Sequence, residues 1–272
     1  MRVRLAAGVV ALSCGALLLG VLSGARAGTP RDILQHVGLD QHLGAQIPLS
    51  LALRDEQGAP ASLAALVARR PAVLALVYYQ CPNLCTLTLN ALGRSLRKID
   101  LRAGSDFEVV AVSIDPRDSP GAAAAERAAY LARYGRTADL RCRDCDSGWH
   151  FLTGAASQSA ALARSVGFRY LWDPLLQQYA HPAAIVVLTP GGRVSQYFNG
   201  VDYPPWELRR ALERAAAGAT GTLAERFWLL CYRYEALAGR YAALVLDAVR
   251  AVALLTVLAL AALIFRLTRS TP

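Results

Sequence analysis

The chain reads as an α/β domain carried between two apolar ends, with a transmembrane helix at the C-terminal one. Three observations lead there. Strand-length and helix-length apolar patterns alternate through the middle of the chain, the run at 72–79 is almost continuously apolar, as a strand buried on both faces requires, and glycine- and proline-rich turns separate the elements.

In order along the chain, residues 47–53 alternate as a strand, and 62–69 form a short helix that stops before Pro71. Residues 72–79 are the buried strand. A helix follows: Pro82 suits a first helical turn, and Leu84, Leu87, Leu89, Leu92, Leu96 and Ile99 recur at three- and four-residue spacings. Residues 107–114 are the next strand, 122–134 a helix after Ser119-Pro120, and 156–166 another helix. Residues 183–188 and 193–198 pair as a hairpin around Pro190-Gly191-Gly192, and 206–217 close the domain as a last helix. No internal repeat or long low-complexity tract interrupts this pattern.

The 272 residues allow one or two domains, and 54% hydrophobic residues with mean hydropathy +0.30 exceed the usual soluble range. The excess sits at the ends. Residues 1–27 have a basic start (Arg2, Arg4), an apolar stretch and Ala25-Arg26-Ala27 before Gly28, the form of a cleaved secretory signal; an uncleaved anchor is the competing reading. Cys14 lies inside the apolar run rather than after it, which argues against a lipoprotein signal. Residues 28–218 are then the exported domain and 219–241 a connector. Residues 242–265 are a transmembrane helix, in which Asp247 and Arg250 can pair near the membrane surface; an amphipathic surface helix is the alternative. Arg266 and Arg269 make 266–272 a cytoplasmic tail. The domain therefore faces the periplasm or its equivalent, on a single-pass bacterial cytoplasmic membrane protein. Of the formal charge of +9, residues 1–27 carry +3 and 241–272 carry +2, which leaves +4 for the rest without any Lys/Arg block and argues against nucleic-acid binding. No phosphate-binding glycine loop and no serine nucleophile motif is present.

Chemistry begins at Cys81-Pro82-Asn83-Leu84-Cys85. Two thiols four apart, between a buried strand and a helix start, can form a disulfide or share a metal ion, and a helix N-terminus favours thiolates. A structural disulfide is the plain alternative; a thioredoxin-type redox motif has two intervening residues rather than three. Among the histidines, His36 and His42 read as surface residues. His181 differs because His181-Pro182 directly precedes the hairpin, and in thioredoxin-like sheets that loop faces the cysteine helix. Two thiolates and one imidazole suit Cu(I), with Cu(II) reachable through the imidazole.

These residues resemble the Sco/SenC copper proteins. The resemblance rests on Tyr78-Tyr79-Gln80-CPNLC-Thr86-Leu87, Val112-Ser113-Ile114-Asp115-Pro116-Arg117-Asp118, Trp149-His150-Phe151-Leu152-Thr153-Gly154, and His181 followed by Ile185-Val186-Val187-Leu188, and it spans roughly residues 33–215. It implies a thioredoxin-like fold, copper held by Cys81, Cys85 and His181, and a metallochaperone maturing the CuA centre of a cytochrome c oxidase subunit. It also implies exchange with other periplasmic copper carriers or thiol reductants, and support behind the ligands from Asp115. The alternative is a thiol-disulfide reductase in which Cys81 and Cys85 keep the oxidase cysteines reduced. A peroxidase of the same fold class lacks its motif here.

Two features depart from the family. Its members are commonly anchored at the N-terminus, whereas this anchor is C-terminal. Cys142-Arg143-Asp144-Cys145 is outside the family pattern and reads as a loop staple or labile disulfide rather than a second metal site; haem attachment is excluded because His150 does not directly follow Cys145. Cys231 reads as a buried or interface thiol near the membrane helix.

Overall fold

A computed structural model of the chain describes residues 36–80, 84–135, 145–221, 249–258, 260 and 262, with the backbone alone for 84–86 and 145–146. The signal at 1–27, Cys81, Cys142, Cys231, the connector from 222 to 241 and the tail at 266–272 lie outside the described residues.

The chain divides into two units, 41–167 with 183–272 and 1–40 with 168–182. The larger is a mixed α/β unit with a central seven-stranded sheet and helices. Its strands are β2 (Leu53–Arg54), β3 (Pro60–Ala61), β4 (Ala72–Val77), β5 (Glu108–Ser113), β6 (Trp149–Gly154), β10 (Ala184–Leu188) and β11 (Val194–Asn199). They lie in the order β11-β10-β4-β5-β6-β2-β3. Strands β4, β5 and β6 are parallel, and β10 runs antiparallel to β4. Every residue of β4 and β5 is buried, as in central strands covered on both faces of the sheet.

The helices are α1 (Leu63–Leu66), α2 (Leu84–Leu96), α3 (Pro120–Tyr134), α4 (Ala156–Ser165) and α5 (Pro205–Ala216). Local sequence sets their ends. Ser62 and Ser119 accept backbone N–H groups at the starts of α1 and α3, Pro120 occupies the first turn of α3, and Gly135 at φ 65° closes it in the left-handed region.

Two expectations shift. The strand expected at 47–53 shrinks to Leu53–Arg54, since Pro48 has no N–H to give a ladder; Ile47 instead donates to the carbonyl of Gly192. Trp149–Gly154, read from sequence only as a motif, is the third parallel strand, and its histidine, threonine and glycine hide the apolar pattern. In the hairpin turn Gly191 and Gly192 have φ 81° and 82°, which the two glycines permit.

In the smaller unit β1 (Gly38–Leu39) pairs antiparallel with β7 (Phe168–Arg169), and β8 (Leu171–Asp173) pairs with β9 (Gln178–Ala180) as a hairpin. Arg169 Nε meets Asp40 at 3.0 Å.

Among the described residues no helix is long and apolar enough to cross a membrane. The described part of the span expected at 242–265 is helical over 249–258, and its valines and leucines are exposed.

Candidate metal centre

Strand β4 delivers the chain to the cysteine motif. Past Val77, Tyr78 and Tyr79 remain buried, and Cys85 is the second residue of α2. The Tyr79 hydroxyl lies 2.7 Å from the Leu152 carbonyl and 3.1 Å from that of Ala111. Burial, with the nearby Asp118 charge, pushes its ionisation well above the usual phenol range, so it remains a donor.

The strand-end motif of β5 braces the same exit. Ile114 N–H donates to the Val77 carbonyl at 2.7 Å, which prolongs the β4–β5 pairing. Asp118 is buried, and its Oδ2 accepts the Tyr79 N–H at 2.7 Å and the Ser113 hydroxyl at 2.6 Å. Burial raises its carboxyl above the ordinary value, although those hydrogen bonds pull the other way. Asp115, the residue singled out from sequence, is turned to Arg117: Nε lies 2.9 and 3.1 Å from its two oxygens and Nη2 lies 2.6 Å from Oδ2. Burial would raise Asp115, but Arg117's hydrogen bonds and charge outweigh it and hold the carboxyl below the usual range. The carboxylate in contact with the chain leading to Cys81 is thus Asp118. Sequence reasoning missed it, although it closes the quoted motif, because its burial and its donors come from the packing of β4 against β5.

His181 belongs to the smaller unit, directly after β9, and is 7% exposed. Its ring stacks on Phe168 at 6.0 Å. Nδ1 lies 3.0 Å from the Pro182 carbonyl, an acceptor only, so in the neutral ring Nδ1 carries the proton and the lone pair is on Nε2. That is the tautomer a metal ligand needs, so the donor chemistry fits copper. Three residues later β10 begins, and the register Ile185↔Ala75 puts its start at the end of the sheet where β4 finishes.

The other expected residues fall elsewhere. Cys145 opens a short 3₁₀ turn, Cys145–Gly148, that feeds β6 where Trp149 pairs with Val109. Because β4, β5 and β6 are parallel, this is the end of the sheet opposite the exit of β4. The backbone of Cys145 is therefore separated from that of Cys85 by the length of the strands, about 20 Å for six residues. His150 is paired with Glu108 at 3.1 Å, and Glu108 also meets Arg70 at 2.6 Å. His42 Nδ1 lies 3.2 Å from the Ser165 carbonyl. Among the described residues no group of three His, Cys, Asp or Glu is arranged to hold a metal ion.

The sequence model of the SCO1/SenC family matches residues 41–217. No curated protein matches the chain. Among solved structures, one protein from Aquifex aeolicus VF5 is 24% identical with TM-score 0.55, over 65% of this chain and 95% of that one. A second Aquifex aeolicus VF5 structure is 24% identical with TM-score 0.52, over 65% and 99%. A SCO1/SenC family lipoprotein from Bacillus anthracis str. Ames is 19% identical with TM-score 0.51, over 66% and 99%. At these identities the structural likeness establishes the fold.

Proposed function

The chain belongs to the SCO1/SenC family, and from that premise we propose that it is a membrane-anchored copper metallochaperone that helps mature the CuA centre of cytochrome c oxidase. Cys81, Cys85 and His181 are the proposed ligands of the transported ion, as Cu(I) with Cu(II) reachable through the imidazole. The observation that carries the reading is the family match across the whole segment that holds CPNLC and His181, joined to a His181 ring oriented by the Pro182 carbonyl. Two thiolates and one imidazole form a soft, low-coordinate set, so ligands can be exchanged one at a time with an acceptor's thiolates. Asp118 and Ser113 hold the strand exit from which Cys81 departs.

The signal at 1–27 and the helix at 242–265 are proposed to export the domain and fix it to the bacterial cytoplasmic membrane, facing the periplasm. The exposed valines and leucines of 249–258 support this, because an apolar helix surface is stable in lipid rather than in water. Confinement beside a membrane-bound oxidase raises the effective concentration of the donor at its acceptor.

Anaerobic copper titration of the reduced full chain, with X-ray absorption of the bound ion, tests the reading. One tightly held copper with two sulfur ligands and one nitrogen, the nitrogen lost in His181→Ala, is the expected result. A chain that retains no copper yet cycles a Cys81–Cys85 disulfide is instead a thiol-disulfide reductase acting on the oxidase cysteines, with His181 a structural residue.

A further inference from the structure

Helices α2 and α3 link neighbouring parallel strands, β4 to β5 and β5 to β6, so they lie side by side and their last turns fall at the same end of the sheet. Between them is a groove of about 250 Å³ whose lining includes Asn90, Gly93, Arg94, Arg97, Tyr130 and Arg133, and no carboxylate. Elsewhere arginine is balanced: Arg70, Arg117, Arg127, Arg169 and Arg209 each meet a carboxylate at 2.6–3.0 Å. Among the described residues neither Arg94 nor Arg133 does.

The groove is held in shape by its own walls. The Arg133 guanidinium stands over the Tyr130 ring at 5.3 Å, and its Nη1 donates to Asn90 Oδ1 at 3.2 Å. Arg97 Nη1 donates to the Arg133 carbonyl at 2.5 Å, which puts a cation on the negative end of the α3 dipole, the one local feature that would repel an anion. A basic residue in a last helical turn suits the dipole, and this accounts for Arg94 and Arg133 one at a time. It does not account for the glycine between the two walls. Gly93 lies in the body of α2, where alanine is the better helix former. Crowding is not the reason for it: apart from the backbone of its own helix, no heavy atom stands within 4 Å of the place a Cβ would take. What the missing side chain leaves is open floor in an arginine-lined groove.

We infer that this groove binds the phosphate group of an anionic ligand, held by the guanidiniums of Arg94 and Arg133 over Gly93. Guanidinium forks match phosphate oxygens in pairs, and so small a space suits a compact oxyanion rather than an extended acidic peptide. Arg94 is nine residues beyond Cys85, about 14 Å along the helix, so the site is separate from the proposed copper ligands and does not depend on that reading. The phosphate comes from a lipid headgroup or from a soluble phosphate, and the test separates the two.

Phenylglyoxal modifies accessible arginines, and mass spectrometry of the full chain reads each one. In phosphate-free dodecyl maltoside, about 10 mM inorganic phosphate slows modification of Arg94 and Arg133 about fivefold, whereas exposed Arg69 and Arg210 change less than about twofold. Gly93→Leu fills the groove and abolishes the protection, with copper retention as in the unsubstituted chain. In calorimetric titration with inorganic phosphate, Arg94→Gln with Arg133→Gln weakens binding about tenfold or more, while Arg69→Gln with Arg210→Gln, which removes the same charge elsewhere, stays within about twofold. Nanodiscs containing phosphatidylglycerol that protect Arg94 and Arg133 without added phosphate, where phosphatidylcholine alone does not, identify a lipid headgroup; protection by inorganic phosphate alone identifies a soluble source. Absence of protection in both arms, equal protection of Arg69 and Arg210, or protection that survives Gly93→Leu overturns the proposal. Protection by hexaglutamate without protection by phosphate overturns it in favour of an acidic protein.

Discussion

Replacing Asp118 by alanine removes the acceptor for two donors, the Tyr79 N–H at 2.7 Å and the Ser113 hydroxyl at 2.6 Å, at a carboxylate only 8% exposed. The serine has another acceptor, the Asp115 carbonyl at 3.2 Å, so its loss is partial. The Tyr79 N–H lies beyond the last ladder residue of β4 and is left buried without an acceptor, at a cost of about 1–3 kcal/mol. With the weakened serine bond the total comes to about 2–3 kcal/mol, or roughly 4–12 °C in Tm for a domain of this size. Asp118→Asn retains one oxygen able to accept both donors and loses less than about 1 kcal/mol. Burial raises the Asp118 carboxyl, so its stabilising contribution is full below the ordinary carboxylate pKa and is lost as pH rises through the raised value. Asp118→Asn, which does not titrate, therefore gains on the unsubstituted chain across that window. Urea unfolding followed by tryptophan fluorescence, with buried Trp149 as reporter, measures each difference. An alanine variant within about 0.5 kcal/mol of the original, or an asparagine variant as damaged as the alanine one, refutes the hydrogen-bond account.

Cys81→Ser and Cys85→Ser each abolish tight copper retention in the titration described above, whereas Cys142→Ser with Cys145→Ser leaves one copper per chain. Gly148→Ala drives a Cβ into the Gly104 nitrogen and the Ala103 carbonyl carbon, backbone that has no side chain to swing aside; a loss of about 3 kcal/mol in urea unfolding is expected. Ser119→Ala removes the cap of α3 and lowers stability by about 1 kcal/mol in the same assay. Arg117→Ala releases Asp115, whose carboxyl titration, followed by NMR, moves upward; the stability that this aspartate contributes, present above the ordinary carboxylate pKa and lost as pH falls through its lowered value, shrinks accordingly.

Sequence by itself determined the local frame. The continuous apolar runs at 72–77 and 109–112 read as strands buried on both faces, and Ser119-Pro120 marks a helix start by capping chemistry that needs no distant partner. The ordered motifs from Tyr78 to Leu188 also carried the family, because such motifs are written along the chain. Tertiary structure decided what depends on strand order and side-chain direction. WHFLTG becomes a central parallel strand only because β5 and β2 flank it, and that placement is what sends Cys145 to the far end of the sheet from Cys85. Asp115 and Asp118 lie three residues apart with the same chemistry; a short carboxylate turns to whichever donor the fold puts within 3 Å, so only the packed structure gives Arg117 to one and the Tyr79 backbone to the other.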